Sequence, residues 1–279
     1  MANLPTKIPF VFSNTGVELN AILDFVKNYE YDNVQIIKPS KPFPIILKEY
    51  GKPTISKLKS DMLETYQRNK DYELTKVRSQ YLISGGSNFK LANRDIHIMH
   101  PDNNIKYSSK CCNLLKKKPF KQYEKENDMR GSFVGIRLAE GGARSFAYNS
   151  CVSIKKVCGS EYYKSMPIFD WTDEMMNEFV EKYHINLSIA YTDYGFTSTG
   201  CIGCPYSKNL KDDLIAIHKY EPIKYKACMK WFKDVYIQQQ VVLDFDTEYM
   251  KEFEDFQPTL RQRNKEMMDK YRRKDNQSW

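Results

Sequence analysis

The sequence predicts an α/β fold: a parallel sheet sandwiched by helices, with a helical extension at the C-terminus. Three observations predict it. Short apolar runs at residues 8–12 and 34–37 each lead into a segment of helical period, with short connections between them. No apolar run approaches the roughly eighteen residues of a membrane span. Beyond Leu210 the pattern is mostly helical.

Residues 8–12 (Ile-Pro-Phe-Val-Phe) are short enough for a buried strand and end in the turn signal Ser-Asn-Thr-Gly at 13–16. Residues 17–27 place Ala21, Ile22, Phe25 and Val26 at helical spacing, and 34–37 read as the second strand. Residues 42–50 predict a helix that Gly51 ends. Residues 56–82 predict further helix, with Met62, Leu63, Tyr66 and Gln67 facing inward. Residues 84–104 are rich in Gly, Asn and Asp and predict loop or short irregular strand, and 133–136 predict a strand. Thr172 is placed to cap a helix whose first turn carries Asp173 and Glu174, where carboxylates meet the positive end of the dipole. Met175, Met176, Phe179, Val180 and Tyr183 give that helix one apolar stripe. With no repeat and no low-complexity linker, the expected organisation is an α/β domain over 1–207 and a helical extension over 208–279.

The 279 residues carry 43 Lys+Arg against 35 Asp+Glu, a net charge of +8 that favours an anionic partner. Hydrophobic residues make up 41%, which excludes wholesale disorder. The N-terminus lacks the apolar core of a secretory signal, so the expected location is cytoplasmic, with no membrane partner.

Seven cysteines are too clustered for a disulfide framework. Cys111 and Cys112 are adjacent, and Cys201 and Cys204 form a Cys-x-x-Cys turn preceded by Gly200 and containing Gly203. Such a turn aims two sulfurs at one metal centre, whereas adjacent cysteines diverge and suit two corners of a cluster. A [4Fe–4S] cluster is therefore expected, with zinc and unligated thiols as the alternatives. Lys110 and the lysines at 116–118 are placed to offset the charge of a thiolate-ligated cluster. Cys151, Cys158 and Cys228 fit buried structural thiols.

Two further features suit anions. Residues 135–144 put Arg137 and Arg144 around a glycine pair, where arginine forks and open backbone bind phosphate or sulfate. The turn at 13–16 lies at the carboxyl end of a strand, where open parallel sheets bind ligands. Each also has a plain reading, as a solvated loop and a simple turn.

Five segments together resemble the phosphoadenosine phosphosulfate (PAPS) reductase family of adenine-nucleotide alpha-hydrolase-like proteins. They are residues 11–18 (VFSNTGVE), 110–116 (KCCNLLK) with Pro119, 135–140 (GIRLAE) with Arg144, 167–172 (PIFDWT) and 199–206 (TGCIGCPY). The resemblance implies a Rossmann-like fold and, as in the adenylylsulfate reductase-like branch, a [4Fe–4S] cluster on Cys111, Cys112, Cys201 and Cys204. It implies that Asn14, Thr15, Gly16 and Glu18 lie against an adenosine. It places Lys57, Arg137, Glu140 and Arg144 in the nucleotide site, with Lys57 and the two arginines at the phosphate or sulfate end.

Two departures qualify it. The Ser-Gly-Gly-x-Asp-Ser-type phosphate loop expected ahead of Ile8 is not in this sequence, and a C-terminal nucleophilic cysteine is missing after Cys228. Cys228, among lysines on a predicted helix, is the candidate substitute nucleophile. The expected function is an iron–sulfur protein acting on an adenine nucleotide or sulfonucleotide. Its reaction would be sulfur reduction, with a thiol electron donor, or adenylylation-dependent sulfur transfer. The alternative is a non-catalytic nucleotide- or nucleic-acid-binding protein with a structural metal cluster. In the sulfur-transfer reading, the basic tail at 261–274 would hold an acidic polymer such as nucleic acid.

Overall fold

The computed structural model describes residues 8–30, 33–69, 71–74, 76–140, 150–157 and 160–272. The chain divides into two compact units, Met1–Pro119 with Ile189–Trp279, and Phe120–Ser188.

In the first unit, β1 (Phe10–Ser13) pairs in parallel with β2 (Val34–Ile37), in register from Phe10 opposite Val34 to Ser13 opposite Ile37. The crossover is α1 (Asn20–Lys27). Its N-cap residue, Leu19, has no side-chain acceptor. Glu221 supplies one from far along the chain, its carboxylate accepting from the amides of Asn20 (2.9 Å) and Ala21 (3.1 Å). Then α2 (Phe43–Tyr50) starts with Pro44 in its first turn and ends at Gly51, as the sequence predicts. Gly51 has φ of 107°, and a Cβ there would stand 2.5 Å from the Lys106 carbonyl. That close approach lets Lys52 and Tyr107 form an isolated parallel bridge, which leads the chain toward Ser108 and Lys110.

Ser56 caps α3 (Lys57–Gln67) by accepting from the Lys59 amide. Met62, Leu63 and Tyr66 are buried as expected. Gln67 instead ties down a loop, donating to Ile105 O (2.8 Å) and accepting from Tyr107 N (2.9 Å). The helix predicted over 56–82 is two helices, because Tyr72 turns the chain at φ 48° before α4 (Val77–Ser84). Within the predicted loop at 84–104 lies a 3₁₀ helix, Asn93–Met99, with Asp95, Ile96, His97, Ile98 and Met99 all buried. Its threefold period and its buried polar residues hide it from an amphipathic pattern.

A π-helical turn, Asn113–Lys117, follows Cys111 and Cys112 and runs into α5 (Lys118–Glu126). The helices α7 (Ile189–Thr192), α8 (Leu210–Tyr220), α9 (Pro222–Gln238) and α10 (Thr247–Arg272) complete this unit. The segment after 207 is helical as expected, and it shares a core with the first strand–helix pair. One apolar cluster joins Val17, Leu19, Ile46, Cys111 and Leu115 to Ile202, Leu214, Phe232 and Tyr236. A second joins Met62, Leu63, Tyr66, Leu82, Ile96 and Tyr107 to Met267.

In the second unit, β3 (Gly131–Phe133) pairs in parallel with β5 (Ser160–Ser165), and β4 (Val152–Val157) pairs antiparallel with β5. The sequence places β3 slightly late, at 133–136, and misses the β4–β5 pair. Helix α6 (Asp173–Lys182) is capped as predicted, Thr172 accepting from the Met175 amide at 3.3 Å. Its apolar stripe is not core: no residue of the helix is buried, and Met175 and Tyr183 are 45% and 57% exposed. Phe179 packs against Trp171 and Tyr183 instead, with ring centroids 5.1 and 4.6 Å apart. The molecule is thus α/β, with small parallel pairings and many helices. No helix among the described residues is long and apolar enough to cross a membrane.

Candidate four-cysteine centre and β1 turn

The turn after β1 is shaped by its own side chains. Asn14 accepts from the Gly16 amide (3.1 Å), and Glu18 accepts from both the amide (3.0 Å) and the hydroxyl (2.5 Å) of Thr15. Gly16 takes φ of 80°, and the space where a Cβ would stand is open. Two long-range bonds stitch this turn to the cysteine segments. Ser13 Oγ donates to Leu115 O (3.0 Å), in the π turn, and the Ile202 amide donates to Val17 O (2.7 Å), inside the Cys-x-x-Cys. Three motifs separated by about a hundred residues each are thereby held as one site.

The four thiols of this site feel one another. Cys112 is held down to about 6, first by a hydrogen bond from Cys111 and then by the charges of Lys57, Lys116 and Lys117, against its burial. Cys111, as the donor of that bond and buried, is pushed the other way. Burial raises Cys201, with Lys116 opposing. Cys204 rises to about 12 through burial and the neighbouring Cys201. Lys116 is the shared cation: burial works against its charge, but Cys201, Glu18 and Cys112 outweigh burial and raise its pKa. Lys110, expected beside the thiols, turns to Glu64 instead (2.7 Å). Among the described residues, no three His, Cys, Asp or Glu side chains are grouped so as to hold a single metal ion.

The Cys-x-x-Cys turn rests on α9. Gly203 has φ of 55°, and a Cβ there would lie 2.5 Å from the Tyr236 hydroxyl and 2.8 Å from the Cys228 sulfur. Tyr236 donates its hydroxyl to Gly203 O. Cys228 is fully buried, and burial pushes its thiol up to about 12, so it packs behind the turn as a protonated group. Sequence reading missed Tyr236, whose role comes from a contact that no local motif announces.

The remaining candidates fall as follows. Lys57 opens α3, close enough to Cys112 to favour its thiolate. Arg137 and Glu140 lie in the second unit, where Arg137 is paired with Asp173 of α6 (2.8 Å) and reaches Trp171 O (3.5 Å). Glu140 ends a short 3₁₀ turn, Leu138–Glu140. Arg144 and Cys158 lie outside the described residues, and Cys151 is exposed. Arg261, Arg263, Lys265 and Lys270 lie on α10 with Glu266 and Asp269 interleaved, so the described part of the tail is not a face of one sign.

The family model described as the phosphoadenosine phosphosulfate reductase domain matches residues 72–207, which contain all four cysteines but neither the β1 turn nor Lys57. No curated protein matches the chain. Among solved structures, phosphoadenylyl-sulfate (PAPS) reductase from Candida auris, in a phosphate complex, is similar at 13% identity and a TM-score of 0.39. That similarity covers 70% of each chain. Residues 72–207, just under half of the chain, are thus similar to the phosphoadenosine phosphosulfate reductase domain family.

Proposed function

We propose that Cys111, Cys112, Cys201 and Cys204 hold one [4Fe–4S] cluster beside a site for an adenine nucleotide or sulfonucleotide. The chain would reduce the sulfur of that ligand, using a thiol electron donor, or transfer sulfur after adenylylation. The observation that carries this reading is the stitching of the β1 turn to both cysteine segments, with Lys116 between Cys112, Cys201 and Glu18. The donor set fits the group. Four thiols with apolar neighbours Leu115 and Ile202 gain from a centre that stabilises their thiolates, since burial alone disfavours them. When bound, the cluster supplies iron charge and an electron-accepting centre.

The chain's own residues supply the rest. Lys116 offsets thiolate charge, and the open backbone at Gly16 admits a flat ring. Lys57 brings a cation for the anionic end of the ligand. Arg137, Glu140 and Arg144 take their place in this reading from the family resemblance. Attack of a donor thiol on the sulfur of a sulfonucleotide would expel AMP or its 3′-phosphate and leave a thiosulfonate, from which a second thiol would release sulfite as a disulfide forms; adenylylation would instead release pyrophosphate from ATP, so sulfite and pyrophosphate separate the two reactions.

A non-catalytic variant of the same reading has one observation in its favour. Cys228, the one cysteine of the first unit outside the four, is fully buried. Calorimetric titration of adenosine 5′-phosphosulfate and its 3′-phosphorylated form tests the nucleotide site. Lys57→Ala is expected to weaken binding on the order of tenfold, the loss of one charge-assisted hydrogen bond. Unchanged affinity would remove Lys57 from the site.

A further inference from the structure

Outside the cysteine centre, the first unit holds a cavity of about 460 Å³ between the end of α2, the end of α3 and the loop before Ser108. None of the four cysteines and none of residues 14–18 lines it. We propose that this cavity binds a phosphate monoester, its phosphate held between Arg68 and Lys110.

The charge is arranged by Glu64, a buried carboxylate. Its Oε1 accepts from Lys110 Nζ (2.7 Å) and from Arg68, and its Oε2 accepts from Ser108 Oγ (3.0 Å). Both cations are thereby fixed in place, yet each keeps donors unspent, because a guanidinium has five and an ammonium three. Lys106, which donates to Glu49 O at 2.6 Å, adds a third positive charge to the lining. Three cations against one committed carboxylate leave an excess that a phosphate dianion balances, and an arginine fork matches its oxygens.

The volume lies within the range of small-molecule sites, about 300–1,000 Å³. The floor is preformed. Gln67 is spent on Ile105 and Tyr107, and Asn103 donates to Ile98 O (2.8 Å) and to the Tyr107 hydroxyl (3.0 Å). A site already ordered loses little conformational freedom on binding. Tyr72 adds an aromatic wall for the organic part of an ester, while the Tyr50 ring already carries Lys110 at 5.3 Å.

The test is a titration of the full chain with inorganic phosphate and with phenyl phosphate. It is followed by the NMR resonance of the Arg68 side-chain Nε–Hε, assigned by its disappearance in Arg68→Lys. Both probes are expected to shift that resonance in a saturable way, phenyl phosphate at the lower concentration. Lys110→Ala should weaken binding on the order of tenfold. Glu64→Gln should strengthen it, because it releases both cations, whereas a merely structural Glu64 would give loss. Circular dichroism confirms that each variant is folded, and Ser108→Ala, which keeps all the charges, provides a milder change should Glu64→Gln fail to fold. It should leave affinity within about threefold. No saturable shift in the folded parent would overturn the proposal, as would affinity unmoved by Lys110→Ala. Phosphate binding with phenyl phosphate excluded would overturn the ester assignment. The readout is independent of iron, so failure here leaves the cluster reading where it stands.

Discussion

Gly203 shows how single residues set the cysteine centre. It takes a left-handed backbone and sits with the Tyr236 hydroxyl and the Cys228 sulfur where its own Cβ would be. Gly203→Ala therefore faces a conformational cost of about 1–2 kcal/mol plus overpacking of about 1–3 kcal/mol. Denaturant unfolding should show a loss near the sum, and adding Cys228→Ala should recover part of the overpacking. A double variant no more stable than Gly203→Ala would show that Cys228 is not what the methyl group meets. The glycine and the cysteine pair are legible in sequence because they are contiguous. Their support is not, since Tyr236 lies 33 residues away on α9.

At the scale of elements, α1 depends on a carboxylate 201 residues distant. The alternation of strand, turn and helix predicts α1, but Leu19 gives no sign of how its first amides are satisfied. Glu221→Ala removes a cap and a favourable charge at the positive end of the helix dipole, an expected loss of about 1–2 kcal/mol. An unfolding midpoint equal to that of the parent would contradict this role. Helix α6 is the converse case. Thr172 and its acidic first turn mark the start correctly, because a cap is a local device. The stripe at Met175, Phe179 and Tyr183 misleads, because periodicity reports which residues share a face and not whether anything covers it.

For the whole molecule, the sequence shows the α/β alternation and the helical C-terminus. It does not show the two compact units or the 3₁₀ helix at Asn93–Met99, which rest on distant contacts. His97 in that helix is fully buried and donates from Nε2 to Gln238 O (2.9 Å), while Nδ1 has no hydrogen-bond partner among the described residues. Burial holds its pKa below the ordinary 6.5. The unfolded chain takes up a proton near that value and the folded chain only at lower pH, so acid favours unfolding. The stability contribution is present above 6.5 and is lost as pH falls below it. The urea midpoint should be lower at about pH 5.5 than at about pH 7.5, and His97→Gln should reduce the difference. An undiminished difference in that variant would assign the pH dependence to other groups.

The central claim is that one site, assembled from the β1 turn and two cysteine pairs, holds a four-iron cluster. Iron and acid-labile sulfide content of anaerobically purified protein test it most directly. The parent and Cys151→Ser are expected to contain about four of each per chain, and serine at Cys111, Cys112, Cys201 or Cys204 to abolish them. Zinc in place of iron, or folded protein with neither metal after anaerobic reconstitution, would contradict it.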